Sequence, residues 1–195
     1  MADLPGVILI GDSIRMGYQA AAAGTLSGTA EVWGPEQNGG NSRNLLAHLD
    51  EWVFGREAAV VHINCGLHDL RKEFGAGEQA VPPEEYGRNV RRILERLKGE
   101  FRGRVVWAAT TPVDEELHHR NKGFDRFEAD VELYNRIASE IASELEIPID
   151  DLFSVVVRAG KERLLQQDGV HFTREGYELL GRNVADFVRP FLEEK

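Results

Sequence analysis

The chain has 195 residues, with 33 Asp and Glu residues against 23 Lys and Arg residues, which gives a formal net charge of −10. This excess of negative charge repels phosphate backbones and anionic lipid headgroups, so nucleic-acid binding and membrane-surface binding are disfavoured. No apolar run approaches the ~18 residues of a membrane span, and no basic residue precedes the first apolar run as it would in a secretory signal. One cysteine, Cys65, forms no internal disulfide. We therefore expect one cytoplasmic domain over residues 1–195.

Three short apolar runs recur along the chain and end at Gly, Asn or Thr, and two weaker candidates accompany them. The three runs are rich in β-branched residues and uninterrupted, which is typical of strands that are buried on both faces. In chain order, the predicted strands are residues 7–10, 30–33, 58–63, 104–109 and 147–152, of which the second and the fifth have the weaker patterns.

The segments between these strands have helical periodicity. Predicted helices follow Ser13, cover residues 45–54, and carry apolar stripes within residues 86–97, 131–145 and 177–191. Alternation of strand and helix implies right-handed crossovers and a parallel sheet that is covered on both faces. The sequence thus predicts an α/β fold.

Two connections are longer than the usual ~4–6 residues, namely residues 71–83 and 113–127. Both follow the carboxyl end of a predicted strand, where open parallel sheets bind their ligands. We expect these two loops to form the rim of a site. Elsewhere, His62 is expected in the core, whereas His118 and His119 are expected at the surface.

The tripeptide Gly11-Asp12-Ser13 lies between the first strand and a helix. A serine hydroxyl is a weak nucleophile that needs a base within hydrogen-bond reach, and a backbone N–H at a helix N-terminus can stabilise an oxyanion. An N-terminal cap is the alternative interpretation of this tripeptide.

A second segment, Asp168-Gly169-Val170-His171, precedes the last predicted helix. A carboxylate three residues before an imidazole can fold back onto it and fix its tautomer, as in a Ser-His-Asp triad. The alternative is a capping Asp beside a partly exposed His. Two further polar segments, residues 38–42 and 64–69, also follow predicted strands.

Together these segments resemble the blocks of the SGNH, or GDSL-type, hydrolase family. Gly11-Asp12-Ser13 resembles the first block, Gly40 the second, Gly66-Leu67-His68-Asp69 the third, and Asp168-Gly169-Val170-His171 the last. Residues 110–112 are similar to the family pattern after its fourth strand. The resemblance implies a flavodoxin-like, three-layer α/β/α sandwich with a central parallel sheet of about five strands. It also implies serine-dependent ester hydrolysis with no metal and no cofactor.

The resemblance further implies a role for each matching residue. Ser13 would be the nucleophile, His171 the general base and Asp168 the residue that orients His171. The N–H groups of Ser13 and Gly40 would line the oxyanion hole. The third block normally carries Asn before its Asp, whereas this chain carries His68. A neutral imidazole has one N–H donor and a protonated imidazole has two, so we expect His68 to replace the amide donor.

The expected partner is a small-molecule ester with a short acyl group, acetyl being the simplest, on a carbohydrate or another small polar alcohol. A lysophospholipid or a thioester is an alternative substrate within the same family. An inactive domain that binds a ligand or partner is an alternative of another class. No sequence feature indicates an oligomeric state.

A metal-dependent phosphoesterase is the remaining alternative. Its candidate ligands are Asp12, His68, Asp69, Asp168 and His171. The chain lacks the early Asp-x-His that such enzymes use to bridge two metals, and it has Asp12-Ser13-Ile14 instead.

Overall fold

The computed structural model describes residues 4–192, and its centre is a sheet of five parallel strands. Their order in space is β2-β1-β3-β5-β7. The strands are β1 (Gly6–Ile10), β2 (Glu31–Trp33), β3 (Val60–Ile63), β5 (Arg104–Ala108) and β7 (Ile149–Asp150). All five predicted strands are thus present, although the fifth is shorter than expected. The predicted fold class, a three-layer α/β/α sandwich on a parallel sheet, is confirmed.

Helices cover both faces of this sheet. On one face α1 packs against α8, and on the other α3 packs against α2 and α5. These helices are α1 (Ser13–Thr25), α2 (Ser42–Leu49), α3 (Pro83–Glu100), α5 (Glu128–Glu144) and α8 (Arg174–Val188). A π-helical turn, Asp50–Phe54, extends α2, and a 3-10 turn, Arg189–Leu192, follows α8.

The two long loops contain short elements of their own. β4 (Lys72–Glu73) and β6 (Phe124–Asp125) pair as an antiparallel ribbon, and α4 (Glu115–Asn121) precedes β6. Two more short helices, α6 (Leu152–Ala159) and α7 (Lys161–Leu164), follow β7. The sequence analysis did not predict α6, because Val155-Val156-Val157 is typical of a strand. The helix begins there because the carboxylate of Asp151 accepts a hydrogen bond from the Ser154 N–H at 3.0 Å.

The core includes a buried polar pair beside its apolar side chains. His62 on β3 is fully buried, as expected, and its Nε2 lies 3.0 Å from Oδ2 of Asp150 at the end of β7. Asn183 on α8 donates to the other oxygen of that carboxylate at 2.7 Å. This pair ties two strands to α8.

Between residues 4 and 192, no helix is both long and apolar enough to cross a membrane. The expected domain also includes residues 1–3 and 193–195, which lie outside the described part of the chain. The segment that was tested for a secretory signal likewise begins in residues 1–3.

Candidate active site

The candidate site lies at the carboxyl edge of the sheet, where backbone contacts hold the polar segments together. The N–H of Gly39 donates to the carbonyl of Gly11 at 3.0 Å, which joins the second segment to the first. The carboxylate of Asp69 accepts from the N–H of Ser42 at 2.9 and 3.1 Å, which joins the third segment to the start of α2. Asp69 is fully buried, and this burial raises its pKa to about 7.

Ser13 is the first residue of α1, directly after the turn that ends β1. Asp12 caps the helix, since its Oδ1 accepts a hydrogen bond from the Ile14 N–H at 2.9 Å. The half-buried hydroxyl Oγ of Ser13 lies 2.9 Å from Nε2 of His171, although the two residues are 158 positions apart. The serine therefore has an imidazole within hydrogen-bond reach.

Asp168 folds back onto His171, with 2.5 Å between its Oδ2 and the imidazole Nδ1. Its Oδ1 accepts from the N–H groups of Val170 and His171 at 3.1 and 2.9 Å. Partial burial acts to raise the pKa of Asp168, but hydrogen bonds from His171, from these two N–H groups and from Lys122 outweigh it and hold the pKa well below its usual range. Asp168 is therefore ionised at neutral pH, and it fixes the tautomer and the orientation of the ring.

The loop that carries Asp168 and His171 is held in place by contacts with α4 and with the residues at either end of that helix. Asp114 donates its N–H to the carbonyl of Gly169 at 2.8 Å, and Nδ1 of His118 lies 3.1 Å from the carbonyl oxygen of Asp168. Nζ of Lys122 lies 3.2 Å from Oδ2 of Asp168, the oxygen that also contacts His171. Gly169 has φ +71°, and a Cβ there would meet the Asp114 carbonyl oxygen at 2.4 Å, so only glycine fits.

These contacts correct one expectation and add two residues to the site. His118 was predicted at the surface and is instead fully buried, because α4 turns this face toward the Asp168 loop. His119 is exposed, as predicted, and its Nδ1 lies 2.7 Å from Asp125. The sequence places Lys122 in a loop at the rim of the site but does not predict its contact with Asp168 or the burial of His118. The i, i+4 spacing of these two residues was the available signal that they lie on one side of the chain.

Two of the candidate oxyanion donors, Gly40 and His68, lie in the second and third polar segments. The N–H of Gly40 donates to Oδ1 of Asn38 at 2.8 Å. His68 is half-buried and makes no side-chain hydrogen bond to any residue between 4 and 192. Burial lowers its pKa, Asp12 opposes this effect, and Arg126 and Arg71 reinforce it. His68 is therefore a neutral imidazole at neutral pH and offers one N–H donor.

The arrangement of the acidic and histidine side chains determines whether they can bind a metal ion. Within residues 4–192, no group of three or more His, Cys, Asp or Glu side chains is arranged to hold a metal ion. Oδ1 of Asp12 is used by the cap of α1, and both oxygens of Asp69 are used by Ser42. Within the candidate ligand set of a metal-dependent phosphoesterase, Asp69 and one oxygen of Asp12 are thus committed to other contacts.

Comparison with known proteins agrees with the fold and with the order of these segments. The sequence model of the GDSL-like lipase/acylhydrolase family matches residues 9–179. The chain belongs to this family, and it is a carboxylic ester hydrolase.

Several individual proteins are similar along nearly the whole chain. A GDSL esterase/lipase of Arabidopsis thaliana is 27% identical over 202 residues, covering 92% of this chain and 83% of the relative. The crystal structure of a lipase/acylhydrolase from Enterococcus faecalis superposes with a TM-score of 0.80 at 21% identity, covering 98% of this chain and 99% of that one. Axe2, an acetylxylan esterase from Geobacillus stearothermophilus, gives a TM-score of 0.73 at 19% identity, with coverages of 99% and 96%.

Proposed function

We propose that this chain hydrolyses short-chain carboxylic esters through an acyl-enzyme formed on Ser13. The observation that carries the proposal is the unbroken line of short contacts from Ser13 Oγ to His171 Nε2, at 2.9 Å, and from His171 Nδ1 to Asp168 Oδ2, at 2.5 Å. A positioned imidazole can take a proton from a hydroxyl, and an ionised carboxylate stabilises the imidazolium that results.

The proposed reaction has two halves. Ser13 Oγ attacks the acyl carbonyl while its proton passes to Nε2 of His171, and the tetrahedral intermediate then collapses as the same proton moves to the leaving alkoxide. Water next attacks the acyl-serine, giving its proton to His171, and the acid departs as the proton returns to Oγ. Asp168 keeps its negative charge throughout.

Three donors are proposed for the oxyanion: the N–H groups of Ser13 and Gly40, and the neutral imidazole of His68. The Ser13 N–H belongs to the first turn of α1, where backbone donors lack partners within the helix. The Gly40 N–H becomes free only when the exposed side chain of Asn38 releases it. Such a hydrogen bond is worth about 0.5–1.5 kcal/mol, which a stronger bond to an oxyanion offsets.

The proposed substrate is a short acyl ester of a small polar alcohol, with acetyl as the simplest acyl group. The loops around the site contribute charged and aromatic side chains such as Arg71, Lys72 and Phe124, and this mixed lining favours a small polar alcohol. The similarity to an acetylxylan esterase supports an acetylated carbohydrate as a candidate. The described residues share one core, which supports a single domain.

The experiment is an ester panel run with the wild type and the Ser13→Ala variant. It compares 4-nitrophenyl acetate, butyrate and octanoate, an acetylated xylo-oligosaccharide, a lysophospholipid and a thioester, each with and without EDTA. We expect turnover to fall with acyl length, to persist in EDTA, and to drop by about 10⁴-fold or more in Ser13→Ala, because the nucleophile is removed.

Ser27→Ala is the matched control, since Ser27 is an exposed serine beyond the end of α1. Its turnover should equal that of the wild type. Undiminished turnover in folded Ser13→Ala, or no cleavage of any ester by the wild type, would contradict the proposal.

A further inference from the structure

Two guanidinium groups lie against one aromatic ring beside the candidate site. Cζ of Arg71 is 3.9 Å from the centroid of the Phe124 ring, and Cζ of Arg126 is 4.9 Å from it. Phe124 lies on β6, which pairs with β4 directly after Arg71. Both arginines are close enough to His68 to lower its pKa. The ribbon of β4 and β6 therefore holds two cations next to the proposed oxyanion donor.

Arg126 is a buried cation without a counterion in contact. It is 6% exposed, and its Nε donates to the carbonyl of Leu67 at 2.6 Å, one residue before His68. Arg71 and Lys122 pair with Glu73 and Asp168, whereas Arg126 forms no ion pair with any residue between 4 and 192. A buried charge without a partner is costly, and an anion bound beside it would offset that cost.

The terminal nitrogens of Arg126 are available to a ligand. Its Nη1 and Nη2 donate to no acceptor among residues 4–192, and they are not among the fully enclosed polar atoms. Burial lowers the pKa of this guanidinium to about 10, and the buried carboxylate of Asp12 offsets that effect only in part. Arg126 is still a full cation at neutral pH, and it is weakly solvated, which strengthens its interaction with an anion.

We propose that Arg126, with Arg71 beside it, binds an anionic group of the substrate, so that the favoured esters carry a carboxylate or a phosphate in addition to the scissile acyl group. A guanidinium presents two parallel N–H donors, a geometry that matches both of these anions. The hydrogen bond to Leu67 holds the Arg126 guanidinium one residue from His68. Asp12 and Asp168, which adjoin Ser13 and His171, are close enough to affect the charge of Arg126, so we place the anion site beside the reacting ester. This inference rests on the proposed ester hydrolysis and adds the class of ester.

The test compares matched acetate esters that differ in charge. The probes are 4-acetoxybenzoate, which carries a carboxylate, 4-acetoxyphenyl phosphate, which carries a phosphate, and neutral 4-acetoxybenzamide. The wild type should give a higher kcat/KM for at least one anionic probe than for the amide, and the larger of the two ratios identifies the preferred anion. In Arg126→Gln this ratio should fall by about tenfold or more, chiefly through KM, because a charge-assisted hydrogen bond is lost.

Two further variants keep the test decisive. Arg71→Gln should lower the ratio in the same direction, and it replaces a more exposed side chain if Arg126→Gln fails to fold. Arg120→Gln is the matched control, since Arg120 is an exposed cation on the nearby α4 that donates to the Glu116 carbonyl. The kcat/KM ratio of this variant should equal that of the wild type. If Arg120→Gln lowers the ratio as much as Arg126→Gln does, the preference arises from the general positive charge around the site, and the specific anion site is ruled out.

A wild-type ratio of one or less, or an unchanged ratio in folded Arg126→Gln, would overturn the anion site while leaving ester hydrolysis intact. Calorimetric binding of the product 4-hydroxybenzoate, against 4-hydroxybenzamide, gives a readout that needs no turnover. The wild type should bind the anion more tightly, and Arg126→Gln should bind the two compounds equally. If no ester is cleaved and this binding preference is nevertheless present, the proposed hydrolysis fails and the anion site stands.

Discussion

At the scale of single residues, the Asp168 carboxylate receives more hydrogen bonds than one imidazole requires. Its two oxygens serve His171, two backbone N–H groups and Lys122. Each of these contacts favours the ionised form, and together they overcome the cost of burial. The carboxylate is therefore an anion of fixed position before any substrate binds, which is the preorganisation that electrostatic stabilisation of an imidazolium requires.

His68 stands where the sequence resemblance led us to expect an asparagine, and its environment determines what it can donate. Burial and the neighbouring arginines lower its pKa, so the ring is neutral with one N–H at neutral pH. His68→Asn restores a single amide donor and should retain or increase turnover at pH 7. His68→Ala removes the donor and should lower kcat by about 10²–10³-fold.

His119→Asn is the matched control for this substitution, because His119 is exposed and contacts Asp125 rather than the site. It should leave kcat unchanged, and circular dichroism should show all three variants folded. A folded but inactive His68→Asn variant would mean that His68 does something other than donate a hydrogen bond.

At the scale of elements, Asp69 links the loop after β3 to the start of α2 by accepting from the Ser42 N–H. Its pKa is raised from 3.8 in the unfolded chain to about 7 in the folded one. Between about pH 4 and about pH 7 the Asp69 carboxyl therefore holds a proton in the folded state that it loses in the unfolded state. The stabilisation that results is fully present below about pH 4 and is lost as the pH rises through about 7.

Asp69→Asn should remove that dependence. Between about pH 4 and about pH 7, Asp69 should lower the free energy of unfolding of the wild type by up to about 1.4 kcal/mol for each pH unit of increase. The variant should not show this decrease. Urea denaturation at pH 5 and at pH 8 measures the difference. Asp186→Asn, on the exposed face of α8, controls for the loss of one negative charge. Equal pH dependence in Asp69→Asn and wild type would rule out this account of Asp69.

The sequence predicts the larger elements well, because three uninterrupted apolar runs and several apolar stripes are strong local signals. It also indicates that residues 71–83 and 113–127 surround a site. It does not predict that they pair as β4 and β6, since two-residue strands have no periodicity to detect. The buried position of His118 was likewise missed, because it depends on a contact with the Asp168 loop, 50 positions away.

At the scale of the whole molecule, close packing of two helices determines where the candidate site forms. α1 begins at Ser13 and α8 begins three residues after His171, and the two helices lie side by side. A Cβ on Gly181 of α8 would meet the Cβ of Ala21 on α1 at 2.5 Å, so glycine permits this approach. The parallel sheet then collects the loops after β1, β3 and β5 at the same edge.

Charge is distributed unevenly over the molecule. The chain as a whole carries a net charge of −10, but Arg71, Lys122 and Arg126 lie around the candidate site. A buried cation such as Arg126, unpaired within the described part of the chain, can attract a small anion locally while the acidic surface repels polyanions. The net charge of the chain therefore does not conflict with an anionic ester as substrate.

The central claim is that Ser13 is the nucleophile, and the most direct measurement is the mass of the protein after reaction with a fluorophosphonate. The serine oxygen would displace fluoride, so we predict one phosphonyl adduct per chain, mapped by peptide sequencing to Ser13 and absent from Ser13→Ala. An adduct on another residue, or no adduct on an enzyme that still hydrolyses esters, would contradict the account.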